Sequence, residues 1–191
     1  MRLPPLILAS ASPRRAELLR QLGVEFEVVP GGGSEVAHEH LSSRELCQLN
    51  AYHKARSVAK RFPDRIVLGA DTLVCLGTTL FGKPADANAA EAMLRQLQGQ
   101  THHVATGVCL LRLRAHRQSV FADTTAVTFR PLGLEQVREY LRLVHPLDKA
   151  GAYAIQEHGD RIVERIEGSF SNVMGLPLER LAIELKAFEE P

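Results

Sequence analysis

The strongest constraint on the fold is a regular exchange of short apolar runs with longer stretches of helical periodicity, starting at Leu6-Ile7-Leu8-Ala9 and passing at once into Pro13 to Leu22. The short apolar run reads as a buried strand, while Ala16, Leu18, Leu19 and Leu22 mark the buried side of a helix that Gly23 stops. A strand at Glu25 to Val29 follows, then a helix at Ser43 to Phe62 carrying Leu46, Leu49, Ala51, Ala55, Val58 and Ala59, ended by Pro63. Arg65 to Ala70 reads as a strand, and Thr72 to Leu76 with Thr79 to Phe81 as a hairpin around Gly77. Asp86 to Gln98 is helical and closed by Gly99, His102 to Arg112 and Ser119 to Phe129 are strands flanking a polar turn, and Leu134 to Leu143 is helical. His158 to Glu167 reads as a strand pair or bulged strand, and Pro177 to Glu189 as the closing helix. Hairpins and crossover helices both occur, so the class is α/β with a mixed sheet. With no internal repeat, low-complexity tract or long linker, residues 1–191 are expected to form one domain.

Composition removes whole classes of function. Hydrophobic residues make up 45% of the chain and charged residues 24%, proportions that bury a core rather than stay disordered. Lys plus Arg number 23 against 22 Asp plus Glu, a net charge of +1, so there is no global field to hold a polyanion, and any phosphate chemistry needs a local basic cluster. Only 5% of residues are aromatic, which disfavours base stacking, and no nucleic-acid partner is expected. Cys47, Cys75 and Cys109 stand far apart with no C-x-x-C, a pattern that suits a reducing, cytoplasmic compartment. The stretch from Met1 to Ala11 imitates a secretion signal, but its apolar run is too short and Pro4-Pro5 interrupts it. No window approaches the ~18 apolar residues of a membrane span, so no membrane partner is expected.

Two patterns invite misreading. Gly77 to Lys83 matches the first seven positions of a G-x-x-x-x-G-K-[ST] phosphate loop, yet Pro84 stands where the magnesium-binding hydroxyl belongs and Thr-Leu-Phe reads as strand. His38-Glu39-His40 and His102-His103 have the residue types of a metal site, but nothing nearby completes a tetrahedral set.

Other segments fit chemistry better. In Leu8-Ala9-Ser10-Ala11-Ser12-Pro13-Arg14-Arg15 a buried strand turns directly into a helix, with Ser12 as a cap, Pro13 at the first helical position and two arginines beside the positive helix end. The residues alone leave open an anion site or an ordinarily capped helix with solvated arginines. Asp71 ends an apolar strand among apolar neighbours, where a carboxylate is costly without a metal, a cation or water; it is a candidate metal ligand or general base, or an Asp closing a turn. Lys83 in Gly82-Lys83-Pro84 and Lys149 in Asp148 to Gln156 are candidate phosphate partners, and Gln156 offers an acceptor and a donor on one planar amide. Ile166 to Leu178 reads as a close-packed turn with two glycines.

Taken together, S-x-S-P-R-R at Ser10 to Arg15, Lys54-Ala55, G-A-D-T at Gly69 to Thr72, Gly82-Lys83-Pro84, Thr106-Gly107-Val108, D-K-A-G-A-Y-x-I-Q at Asp148 to Gln156 and G-S-x-x-N-V-x-G-L-P at Gly168 to Pro177 resemble the Maf family of nucleoside triphosphate pyrophosphatases. The blocks stand in family order from Leu8 to Leu178. The resemblance implies a curved mixed sheet flanked by helices, two lobes with a central cleft as in the inosine triphosphate pyrophosphatases, a divalent cation (Mg²⁺ or Mn²⁺), and often a homodimer. It implies Asp71 as proton acceptor; Ser10, Arg14, Arg15, Lys54 and Lys83 at phosphate-binding positions; and Glu35 as an acidic residue that helps hold metal. Arg14, Thr72 and Gln156 match the members that hydrolyse dTTP and UTP to the monophosphate and pyrophosphate. Physically, a Gln amide can accept from N3–H and donate to a ring carbonyl of uracil or thymine, whereas cytosine reverses part of that pattern. Gly31-Gly32-Gly33-Ser34 departs from the family, and the triple glycine predicts a segment that orders when nucleotide and metal arrive. Two alternatives remain: a pyrophosphatase for modified nucleotides such as 5-methyl-UTP, pseudouridine triphosphate or 7-methyl-GTP, and a non-enzymatic regulator of cell division, the role behind the family's name.

Overall fold

The apolar run near the N-terminus is strand β1 (Leu6–Leu8), buried throughout and paired in parallel with β2 (Phe26–Val28) and β3 (Val67–Leu76). Residues 5–32 and 40–189 are described by the structure, a computed structural model. β4 (Thr79–Phe81) turns back antiparallel on β3. With β5 (Thr101–Arg112), β6 (Arg117–Phe129) and β7 (Val163–Glu167), the hydrogen-bonded order is β2-β1-β3-β5-β6-β7, β4 standing beside β3. The sheet is mixed, as the alternation of hairpins and crossovers requires. Among the described residues six α-helices accompany it: α1 (Pro13–Gln21), α2 (Ser43–Ala59), α3 (Ala87–Leu97), α4 (Leu134–Leu143), α5 (Phe170–Met174) and α6 (Leu178–Glu189).

The chain divides into two compact units. The first takes Met1–Asp71, Thr106–Asp123 and Gly175–Pro191; the second takes Thr72–Ala105 and Thr124–Met174. The first unit is organised by α2, whose start is fixed by a reciprocal capping box between Ser42 and Glu45. Its small residues Ala51, Ala55 and Ala59 join Ile7, Val67, Cys109 and Leu111 in one core. Two glycines let the helix sit on the sheet backbone itself. A Cβ at Gly69 of β3 would come within 2.3 Å of the Ala51 carbonyl oxygen, and one at Gly107 of β5 within 2.2 Å of the Cys47 carbonyl carbon. Both distances are well inside atomic contact, so no other residue fits without lifting the helix.

The second unit is built on a larger core that includes Phe81, Leu94, Leu97, Phe129, Tyr140, Tyr153 and Ile162. Within it the fully buried His102 ring exchanges a 2.8 Å hydrogen bond with the Tyr153 hydroxyl and meets Phe129 edge-on at 4.7 Å. Burial, with the neighbouring His103 charge as a lesser cause, pushes the His102 pKa down to about 4, so the ring stays neutral. Burial likewise pushes the Tyr153 hydroxyl well above its ordinary range.

Several expected elements are redrawn. Asp71 closes no turn: β3 runs unbroken from Val67 to Leu76, because the apolar residues on both sides of Asp71 continue the same pleat. The segment from His158 to Arg161 is no strand. His158 adopts a left-handed conformation (φ 55°) and Gly159–Arg161 forms a 3-10 turn, with only Val163–Glu167 reaching β6. Ile166 to Leu178 is more than a turn, since it includes the short α5. Gly77, at φ 58°, sits in the β3–β4 hairpin, so the phosphate-loop look-alike has no strand-to-helix passage.

Gly107→Ala should destabilise the protein by about 3 kcal/mol in urea or guanidinium unfolding, since the added methyl lands on the Cys47 backbone. Gly32→Ala, where a Cβ meets nothing within 4 Å, is the control and should shift the midpoint little.

Candidate active site

In the first unit the site grows from the end of β1 and the middle of β3. β1 leaves the sheet where the Ala9 N–H donates to the Leu68 carbonyl at 2.7 Å, so the chain turns away beside β3 three residues before Asp71. The Ser10-to-Ser12 turn then enters α1, with Pro13 at its first position. Ser10 is buried, and its Oγ accepts from the Ser12 N–H at 3.2 Å and from Arg15 Nη1 at 3.3 Å. Arg15 also donates from Nε to the Gly175 carbonyl at 2.9 Å, tying the turn to the approach of α6. Ser12 occupies the N-cap position, but its side chain makes no capping hydrogen bond. The expected hydroxyl cap is therefore absent, and Pro13 at the first helical position removes one of the N–H groups that would otherwise need a partner. Arg14 and Arg15 are both half-buried in the first turn.

Asp71 is 4% exposed and held by two residues one helical turn apart on α2. Lys54 Nζ donates to one carboxylate oxygen at 2.5 Å, and Asn50 Nδ2 donates to the other at 3.3 Å. The arrangement follows from the glycine seat. Gly69 and Asp71 share a face of β3, and α2 lies close enough at Gly69 for the i and i+4 side chains to straddle the carboxylate. Buried Asp71 thus meets the cation its environment demands. Gly31 passes against the same helix: a Cβ there would lie 2.9 Å from the Lys54 carbonyl oxygen, so this glycine of the triple run is needed for close approach. Glu35, with Gly33 and Ser34, lies outside the described residues.

Thr72, Lys83, Lys149 and Gln156 belong to the second unit. Thr72 is half-buried on β3 and Lys83 exposed after β4. The Gly151 N–H donates to the Gly82 carbonyl at 3.0 Å, which docks the Asp148-to-Gln156 segment beside Lys83. Gly151 needs its glycine twice over, at φ 69° and with a Cβ position 3.1 Å from Val74. The segment is further pinned at Ala154, whose carbonyl accepts from Tyr140 Oη at 3.1 Å and whose N–H donates back to the same hydroxyl at 3.0 Å. Lys149 is 4% exposed, and its ammonium donates to the His145 carbonyl at 2.7 Å and pairs with Asp148 at 2.9 Å and Glu157 at 3.5 Å. Three protein acceptors surround it, so binding a phosphate would mean exchanging one of them. Gln156 is exposed at the end of the pinned stretch and donates from Nε2 to Glu157 Oε1 at 3.4 Å.

Sequence reasoning missed Asn50 and Glu157. Asn50 was detectable as a polar residue on the apolar face of α2, four positions before Lys54. Glu157 left no signal, being an ordinary charge one residue past the motif. Among the described residues no group of three His, Cys, Asp or Glu side chains is placed to hold a metal. Magnesium, however, is commonly bound through one or two carboxylates together with substrate phosphates, and the buried Asp71 carboxylate fits that mode. No helix among the described residues is long and apolar enough to cross a membrane.

A mixed sheet of this topology places the chain in a known class. The structure matches that of the Ham1 protein of Staphylococcus aureus with a TM-score of 0.55, covering 97% of this chain and 100% of that one at 14% identity, a likeness of fold. The Maf-like protein family model matches residues 5–188, and the chain belongs to that family. Curated relatives extend over nearly its whole length. A protein of Symbiobacterium thermophilum is 46% identical over 97% of this chain and 95% of its own, and one of Deinococcus radiodurans is 47% identical over 92% and 88%. A third, from Akkermansia muciniphila, is 44% identical over 92% of each. All three are named dTTP/UTP pyrophosphatase.

Lys54→Met leaves the buried Asp71 charge without its cation and should cost about 3 kcal/mol in equilibrium unfolding. Adding Asp71→Asn should restore most of that stability. Additive losses in the double variant would mean that the two side chains do not depend on one another.

Proposed function

We propose that this protein hydrolyses nucleoside triphosphates between the α and β phosphates, with dTTP and UTP as substrates, releasing the monophosphate and pyrophosphate. The observation that carries this is the buried Asp71 carboxylate, gripped by Lys54 and Asn50 three residues past the point where β1 turns into α1. The relatives' name, dTTP/UTP pyrophosphatase, supports it. The matched segment, continuous from residue 5 to 188, supports treating 1–191 as one Maf-like domain.

A triphosphate brings about four negative charges, and the site must supply the screening that water gave. Ser10, Ser12, Arg14 and Arg15 at the start of α1 offer a hydroxyl pair, two guanidinium forks and the positive helix end to its oxygens. Lys83 adds a mobile point charge. Lys54 Nζ donates to Asp71, and the same ammonium is proposed to neutralise phosphate charge as well. Asp71 is the group that orients and deprotonates the attacking water, with Asn50 keeping its second oxygen in place. Asp71 and Glu35 are the side chains proposed to hold a divalent cation, Mg²⁺ or Mn²⁺, along with the phosphates. When bound, such a cation acidifies water and neutralises phosphate charge. Thr72 follows the acceptor in the chain, and Gln156 reads the base through its amide. Lys149 contributes charge, provided it gives up one protein acceptor. The protein is further proposed to work in the cytoplasm, as a homodimer.

Asp71→Asn should leave nucleotide binding largely intact and lower turnover by about 10² or more, read as pyrophosphate release from dTTP and UTP. Unchanged turnover sinks the role of Asp71. Gln156→Glu replaces the amide donor with a second acceptor and should weaken dTTP and UTP hydrolysis far more than that of a purine triphosphate. Equal losses across bases would remove Gln156 from base recognition.

A further inference from the structure

Gln156 does not stand alone. Its amide donates to Glu157 Oε1 at 3.4 Å, and Glu157 in turn presents Oε2 to the buried Lys149 ammonium at 3.5 Å. Lys149 is itself fixed by the His145 carbonyl at 2.7 Å and by Asp148 at 2.9 Å, with 5% of its side chain exposed. The chain of contacts therefore runs from a rigid, buried cation, through a half-exposed carboxylate, to an exposed amide. We propose that Glu157, anchored by Lys149, is a positioning residue that sets which end of the Gln156 amide faces the substrate base.

The reason lies in the chemistry of the three groups. An ionised carboxylate has acceptors only, so the end of the Gln156 amide that faces Glu157 is the NH₂ end. A free glutamine can turn its amide over by rotating the last torsion, which is broad and nearly two-fold. With Nε2 held by Glu157, Oε1 is turned outward as an acceptor, and the second N–H remains beside it. That edge matches the N3–H donor and neighbouring carbonyl of uracil and thymine. Cytosine carries an acceptor at N3 and meets Oε1 acceptor to acceptor. Glu157 thus bears on the choice between uracil or thymine and cytosine without touching the base. Lys149 holds Glu157 in turn, and this contact is compatible with a phosphate role so long as the acceptor that Lys149 gives up is not Glu157.

This inference rests on the proposed pyrimidine triphosphate pyrophosphatase reaction, and the test separates the two. Steady-state kinetics on UTP and CTP are measured for the wild type, for Glu157→Gln and for Glu157→Asp, with melting temperatures on the same samples. Glu157→Gln keeps the size but can present either end of its own amide, so the outward orientation of Gln156 is no longer enforced. The ratio of kcat/KM for UTP over CTP should fall about tenfold, as expected for losing one hydrogen bond to a charged acceptor, and the change should lie in KM for UTP more than in kcat. Glu157→Asp retains the charge and should recover part of the ratio. A Glu157→Gln enzyme with the wild-type ratio overturns the positioning role and leaves the pyrophosphatase reading standing, even if its melting temperature falls. A wild type that releases pyrophosphate from neither nucleotide overturns both.

Discussion

The first unit depends on how closely α2 lies on the sheet. Gly69 and Gly107 remove the side chains that would otherwise keep helix and strand apart, so the Ala51 and Cys47 carbonyls rest against strand backbone. Everything specific about Asp71 follows. An aspartate in the middle of a buried strand is unfavourable by several kcal/mol without a partner, and only a helix seated this low brings Asn50 and Lys54 to it. The alanines at 51, 55 and 59 serve the same end, because larger residues there would raise the helix. Core packing and reactive carboxylate are therefore one arrangement. The polar contacts are affordable only because the apolar ones put them in range.

The second unit solves a different problem, that of holding a loop. Asp148 to Gln156 has little regular structure beyond two 3-10 turns, and Gly151 and Ala152 both adopt positive φ. Order comes from below. Tyr140 takes both backbone groups of Ala154, and His102 takes the Tyr153 hydroxyl within a cluster of rings at 4.7 to 5.4 Å. A loop with its middle embedded and its last residue exposed can present one amide in a defined direction at small entropic cost.

Much of this was legible in the sequence, and the exceptions share a cause. Strand and helix periodicity located β1, α1, α2, α3 and α4 to within a few residues, since each buries a single face whose spacing is local. For Asp71 the sequence leaves a reactive carboxylate and a turn-closing one both open, because a lone carboxylate in an apolar run can read as a break; the cation that keeps it in the strand sits 17 residues earlier. Ser12 has the residue type and position of a cap for α1, but its hydroxyl does not take that bond, and side-chain rotation of this kind leaves no trace in the sequence. His158 to Arg161 reads as strand because its composition carries no record of a left-handed residue. Asn50 and Glu157 act only through side chains that the fold brings to them, one from β3 and one along the loop. Pairings of that kind have no periodicity to betray them.

Where α2 meets the sheet, main chain touches main chain, with no side chain between them at Gly69 or Gly107. Most helix–sheet contacts can be retuned by trimming or enlarging a residue at the seam, letting a family drift through many intermediate depths. Here there is nothing to trim. The height of Lys54 and Asn50 over Asp71 is fixed by the thickness of the polypeptide itself, so variation at this seam is a choice between the seated helix and a displaced one. Evolutionary adjustment is left to the side chains that project beyond it.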